Sequence, residues 1–301
     1  MLRALTGRVV FAVAMVLAAF VGAYVLVDLA PGDVVGDRGI GMSREAVERE
    51  RARLGLDRPL PARVGTRLAR LAVLDLGTSI RYNRPVRTLV LERSVPTIQA
   101  GAAALALALA LGIPAGVLAA RTRRAAIART IAIVSIALLS LPALVIALVL
   151  AAIGSAARLP DFALMVISLG LPAAALFERL QARAMHAALT ETCLQAARAR
   201  GVPAHAITWR HAWPLSLPPV LGLVGVVASP LLSGSLAIEL VTSRPGLGRL
   251  TFDALLYRDL DLAAGCAGAA AFIVGAATLA ADALQLWLDP RLLADGTGEP
   301  P

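Results

Sequence analysis

The chain has 301 residues, a net charge of +9, 58% hydrophobic and 16% charged residues, and a mean hydropathy of +0.76. That balance excludes an ordinary soluble domain and implies an all-α polytopic membrane protein. Lysine is absent, which excludes a G-x-x-x-x-G-K-[ST] phosphate loop, a lysine Schiff base and a Ser-Lys dyad. The arginines flank apolar runs without any nucleic-acid reading motif, so the positive charge is expected to orient the chain in a membrane rather than bind nucleic acid.

In chain order, Arg3 and Arg8 precede an apolar run from Val9 to Leu29. Its length suits a hydrocarbon slab of roughly 30 Å and exceeds the apolar stretch of a signal peptide, so an uncleaved first membrane helix is expected over 1–29. Ala30-Pro31-Gly32-Asp33 stops it. A polar segment, 30–93, follows, with a charge-laced helix from Ser43 to Leu54, Ser43 as its N-cap, and turns at Leu54–Leu60 and Asp75–Ser79. At this size it is expected to pack on the membrane domain rather than fold alone.

The core, 94–290, holds the remaining apolar runs: Val95–Ala120 with a break at Gly112-Ile113-Pro114, Ile131–Ala152 with Ser140-Leu141-Pro142 in its middle, Leu164–Leu180, Pro219–Val241 and Ala263–Leu288. Six spans result. With the N-terminus inside, the arginine-rich 121–129 and 178–216 loops and the tail 291–301 fall in the cytoplasm, as the positive-inside rule requires. The arginines of the long first outside segment do not count against this, because long segments translocate largely regardless of charge.

The most informative stretch lies between two apolar runs. Gln195-Ala196-Ala197 is followed three residues later by Gly201, and nine further on by His211-Ala212-Trp213-Pro214. This resembles the EAA loop, E-A-A-x3-G-x9-I-x-L-P, of ABC-importer permeases, in the form carried by their dipeptide/oligopeptide/nickel branch. Ordered matches extend the likeness: Ala30-Pro31-Gly32-Asp33, Leu54-Gly55-Leu56-Asp57, Asp75-Leu76-Gly77, Arg84-Pro85-Val86, Leu111–Gly116, Ser140-Leu141-Pro142, Pro245–Leu250, Arg258-Asp259 and Leu288-Asp289-Pro290-Arg291. Departures are Gln195 for Glu, His211 for Ile, Thr242-Ser243-Arg244 where an aromatic is usual, and Leu260-Asp261 where Tyr-Pro is common.

The resemblance implies a type I importer permease of six transmembrane helices with a small external segment after the first. It implies no cofactor in this chain and no enzymatic activity, ATP and magnesium being bound by partner ATPase subunits. The implied partners are a second homologous permease, as a heterodimer, two ABC ATPase subunits or domains, and an extracytoplasmic substrate-binding protein, in a bacterial inner membrane. The loop 184–216 would couple to the ATPases through Gln195, Ala196, Ala197, Gly201, His211 and Pro214. The substrate would be a peptide or another small solute.

Each residue also has a plainer reading. Alanines closed by a glycine serve any short helix and turn, and Arg198, Arg200 and Arg210 either pair with ATPase carboxylates or solvate the loop. Ser140, Ser233 and Ser235 line a pathway or pack helices. Glu239 faces the pathway or bonds the outer loop, and Asp282 reaches water or a neighbouring helix. A self-sufficient secondary transporter or channel is the alternative function; it calls for paired intramembrane charges and an internal repeat, and the sequence offers only Glu239 and Asp282, near span ends. Cys193 and Cys266 are expected to stay unpaired.

Overall fold

The structure, a computed structural model, describes residues 2–30, 44–54, 57–157 and 160–288. The expected stop at Pro31-Gly32-Asp33, the cap at Ser43, the turn residues Gly55-Leu56 and the ending at Asp289-Pro290-Arg291 lie outside the described residues. The described residues form helices α1 (Leu2–Leu29), α2 (Arg44–Leu54), α3 (Leu60–Leu71), α4 (Val86–Arg121), α5 (Ala125–Ser140), α6 (Ala143–Ala157), α7 (Asp161–Leu189), α8 (Thr192–Ala199), α9 (Ala204–Ala206, continued by a wide π turn, Ile207–Ala212), α10 (Trp213–Leu221), α11 (Val224–Val241), α12 (Leu247–Leu256) and α13 (Leu260–Leu288). No strand occurs among them.

Five of these helices are long and apolar enough to cross a membrane, and the pair α5–α6 makes a sixth span if taken together. That pair corrects the expectation of one continuous span over Ile131–Ala152, because its two arms bend by 99°. The cause is local. Proline disfavours a helical conformation in the residue before it and contributes no N–H, and Leu141 accordingly lies at φ −97°, ψ 123°.

The expected break at Gly112-Ile113-Pro114 is absent: α4 continues for 36 residues. Its glycines act in packing instead. Gly112 and Gly116 make a G-x-x-x-G pair, the spacing that puts two small residues on one helix face and lets backbones approach. A Cβ on Gly112 would sit 2.5 Å from the Ala174 carbonyl oxygen, and one on Gly116 2.5 Å from that of Glu178. So α4 lies directly against the α7 backbone. Two boundaries also move: α7 runs on to Leu189 where a loop is expected from 178, and the fifth apolar run divides into α10 and α11.

By compactness the described chain divides into two units. One gathers Ile98–Arg244 and the end of α13 from Ala276. Its core joins α4, α6, α7, α10 and α11 through Ala104, Ala108, Ala147, Leu169, Phe177, Val220, Val227 and Ile238. The other unit gathers Thr6–Thr97 and Pro245–Gly275, with a core of Phe20, Tyr24, Val86, Leu89, Leu250, Leu262 and Cys266.

Polar clamps hold this second unit. Arg63 Nη1 and Nη2 donate to Asp28 Oδ1 and Oδ2 at 2.6 and 2.8 Å, and Arg67 pairs with Asp261 at 2.7 Å. Arginines four apart share a helix face, so α3 is strapped to α1 and α13. Tyr82 Oη donates to Asp253 at 2.8 Å, and burial first, that bond second, holds the phenol above its ordinary pKa.

Asp259 is fully buried. It accepts from Ser79 Oγ at 2.7 Å, from the Arg81 amide at 3.1 Å and, as N-cap of α13, from the Leu262 amide at 3.2 Å. Asp259→Ala is expected to orphan these donors at a cost of about 3 kcal/mol. The check is the thermal midpoint of the detergent-purified protein, which should fall by several degrees for Asp259→Ala and by less for Asp259→Asn, whose amide oxygen still caps.

Candidate functional site

The stretch after α7 is a short exposed helix on a buried footing. Leu194 of α8, Ile207 and Ala212 of the π turn, Met185 and Ala188 of α7, and Val117 of α4 form one apolar cluster, with Val202 and Trp213 packed at its edge. Burial of Leu194, the one buried residue of the eight in α8, fixes the helix while its other faces stay in solvent: Gln195, Ala196, Arg198 and, just beyond its end, Arg200 are exposed.

Gly201 ends α8 at φ +82°. Its amide donates to the Arg198 carbonyl at 3.0 Å, and the Val202 amide donates to that of Ala197 at 3.2 Å. This 5→2 and 6→1 pair is a Schellman ending, which places a left-handed residue, usually glycine, at the position of Gly201. Val202, the next residue, packs on the apolar cluster beneath α8. The π turn that follows has a local cause as well, since Pro214 in the first turn of α10 offers no N–H, and the Trp213 amide reaches back to the Thr208 carbonyl.

Of the expected coupling residues, Gln195, Ala196, Gly201, His211 and Pro214 are exposed and Ala197 is half-buried. Gln195 Nε2 donates to the Thr190 carbonyl at 3.0 Å, which turns its amide onto the end of α7. Behind the loop, Gln181 Nε2 donates to Ser216 Oγ at 2.7 Å and ties α7 to α10. Cys193 is exposed on α8 and Cys266 is buried; both are free.

Two of the expected pathway hydroxyls turn onto their own helices. Ser140 Oγ donates to the Ile136 carbonyl and Ser235 Oγ to that of Leu232, both at 2.8 Å. Ser233 is exposed on α11 and Glu239 is buried there. A cavity of about 300 Å³ lies elsewhere, between α4, α5 and α7, and none of these four lines it. Its wall includes Glu178, 5% exposed, whose Oε2 accepts from Ser135 Oγ at 2.6 Å. Glu178 escapes notice in the sequence because its charge places it at the start of a polar loop. The available signal was the apolar i, i+3, i+4 pattern continuing through Phe177, Leu180 and Met185.

Residues 112–294 match the sequence pattern of the family described as binding-protein-dependent transport system inner membrane component. The chain belongs to this family. It is therefore the membrane permease of an ABC importer, working with ATPase and substrate-binding subunits and hydrolysing no ATP itself. The permease is 33% identical to a protein of Brucella suis biovar 1 (strain 1330) named as a peptide transport system permease, over 96% of this chain and 98% of that one. It is 31% identical to the glutathione transport system permease protein of Pectobacterium atrosepticum, over 78% of this chain and 81% of that one. With the nickel import system permease protein of Staphylococcus aureus it shares 28% identity, over 89% and 85% of the two chains. The multi-pass membrane reading and the dipeptide/oligopeptide/nickel resemblance both stand.

Proposed function

We propose that the chain carries peptides inward by alternating access, as one half of a permease heterodimer, and that α8 with its flanking turns is the surface through which ATPase closure is transmitted. The observation that carries this reading is α8 itself: a short helix closed by a strict Schellman turn, footed on Leu194, Ile207 and Met185 and exposed on its remaining faces. A coupling element has to move as a rigid body, and packed anchors beneath an exposed helix provide that. Gln195, Ala196, Ala197, Gly201, His211 and Pro214 form the docking surface. ATP and magnesium belong to the ATPase partners, and this chain holds no cofactor of its own. Peptides are favoured by the name of the Brucella relative, with which nearly the whole chain aligns. With α5–α6 taken as one span, six crossings put both termini in the cytoplasm, together with the arginines of 121–129 and the α8 region, as the positive-inside rule favours.

Cys193 provides the test. In detergent-purified permease it should react rapidly with a soluble maleimide, and co-purified ATPase subunits should slow that reaction at least tenfold, with buried Cys266 unreactive in both. Equal Cys193 labelling with and without bound ATPases would place docking elsewhere.

A further inference from the structure

We propose that the cavity beside Glu178 is a binding station for a primary ammonium carried on an apolar body, and that in the working importer its occupant is the amino terminus of a peptide in transit. The inference rests on the permease reading above and adds a residue and a recognition chemistry to it.

The wall of the cavity is chiefly aliphatic, with Leu111 and Ala115 from α4, Val134 and Leu138 from α5, and Leu171 and Ala175 from α7. One carboxyl group interrupts it. An ionisable side chain within a membrane-spanning helix is costly to hold there unless something compensates it. Ser135 offers a single hydroxyl donor, to Oε2 at 2.6 Å, whereas a carboxylate has about four acceptor positions. Among the described residues no arginine or histidine pairs with Glu178. Thr130, also on the wall, spends its donor on the Ala126 carbonyl at 3.0 Å, which leaves its oxygen lone pairs to accept.

The polar complement of the wall is thus acceptor-rich, set at one point of an aliphatic surface. A compact cation with several N–H donors and an apolar remainder matches it, and an anion does not. The volume, about 300 Å³, is at the lower end for small-molecule pockets, enough for one or two residues of a peptide. Two sources supply this chemistry: the free amino terminus of a peptide, and the headgroup of an aminophospholipid.

The test uses the whole importer in phosphatidylcholine nanodiscs. A hydrophobic carbodiimide labels accessible carboxyls in apolar sites, and the modified Glu178 peptide is counted by mass spectrometry; Glu178→Gln identifies the signal. Leucyl-leucine amide, which has the ammonium but no carboxyl to consume the reagent, is expected to slow labelling at least fivefold, and N-acetyl-leucyl-leucine amide to leave it unchanged. Glu178→Gln keeps an acceptor for Ser135, so its complex should assemble as before while leucyl-leucine uptake falls about tenfold. Equal protection by both compounds, or by neither, overturns the ammonium assignment. Protection by added phosphatidylethanolamine but not by leucyl-leucine amide overturns the transit role and assigns the station to lipid. Loss of ATPase association in the unmodified importer would instead defeat the permease reading, so the two failures are distinguishable.

Discussion

Valine at Gly112 or Gly116 should abolish the folded permease. At each position the added Cβ meets main chain, 2.5 Å from the Ala174 or Glu178 carbonyl oxygen, with the Phe177 or Gln181 Cβ within 2.8 Å behind it. A flexible side chain could yield, but the α7 backbone is held by its own hydrogen-bond ladder. Overpacking a close-packed contact costs about 1–3 kcal/mol when neighbours can move, and separating two helix backbones also loosens the Phe177 and Ala174 packing of the core. Gly101, on the same helix with nothing within 4 Å of a built Cβ, is the matched control. In fluorescence-detected size exclusion of tagged protein, Gly112→Val and Gly116→Val should lose at least nine-tenths of the monodisperse peak, and Gly101→Val should keep it. Survival of the peak in both core variants would mean that α4 and α7 do not meet as described.

A second large effect is expected at Gly201, of another kind. Nothing lies within 4 Å of a Cβ built there, so no clash is involved; the constraint is the φ of +82°. A left-handed conformation costs an ordinary L-residue about 1–2 kcal/mol, and β-branching worsens it. Gly201→Val should therefore undo the Schellman ending, withdraw Val202 from its contact and redirect α8, while the rest of the permease folds. Membrane insertion and yield should be unchanged, with ATPase co-purification and uptake falling at least tenfold. Gly201→Asn, which tolerates positive φ, should restore much of both. Normal uptake by Gly201→Val would remove α8 from the coupling role.

Legibility in the sequence followed length and chemistry. Long apolar runs gave the membrane class, and Gln195–Gly201 gave the exposed helix and its glycine turn, because both signals are local. Leu141-Pro142 was visible as a proline in mid-run, but whether such a proline is absorbed or folds the span back depends on tertiary packing: Pro114 is carried within an unbroken helix and Pro142 opens a bend of 99°. Gly112 reads as a breaker because the α7 backbone it fits against, at Ala174, is distant in sequence. Glu178 reads as the start of a loop because charge marks span ends on average, whereas in the fold α7 continues beyond it with Ser135 opposite. The hydroxyls proposed for the pathway were compatible with either reading; Ser140 and Ser235 turn theirs onto their own helices.

The most direct test of the account is solute uptake in proteoliposomes containing this permease. With its partner permease, ATPases and binding protein, labelled leucyl-leucine should accumulate only when ATP is enclosed with the ATPase face, and omission of either the ATPases or the binding protein should abolish it. Uptake by this chain alone, driven by an ion gradient without ATP, would contradict the account and establish a secondary transporter.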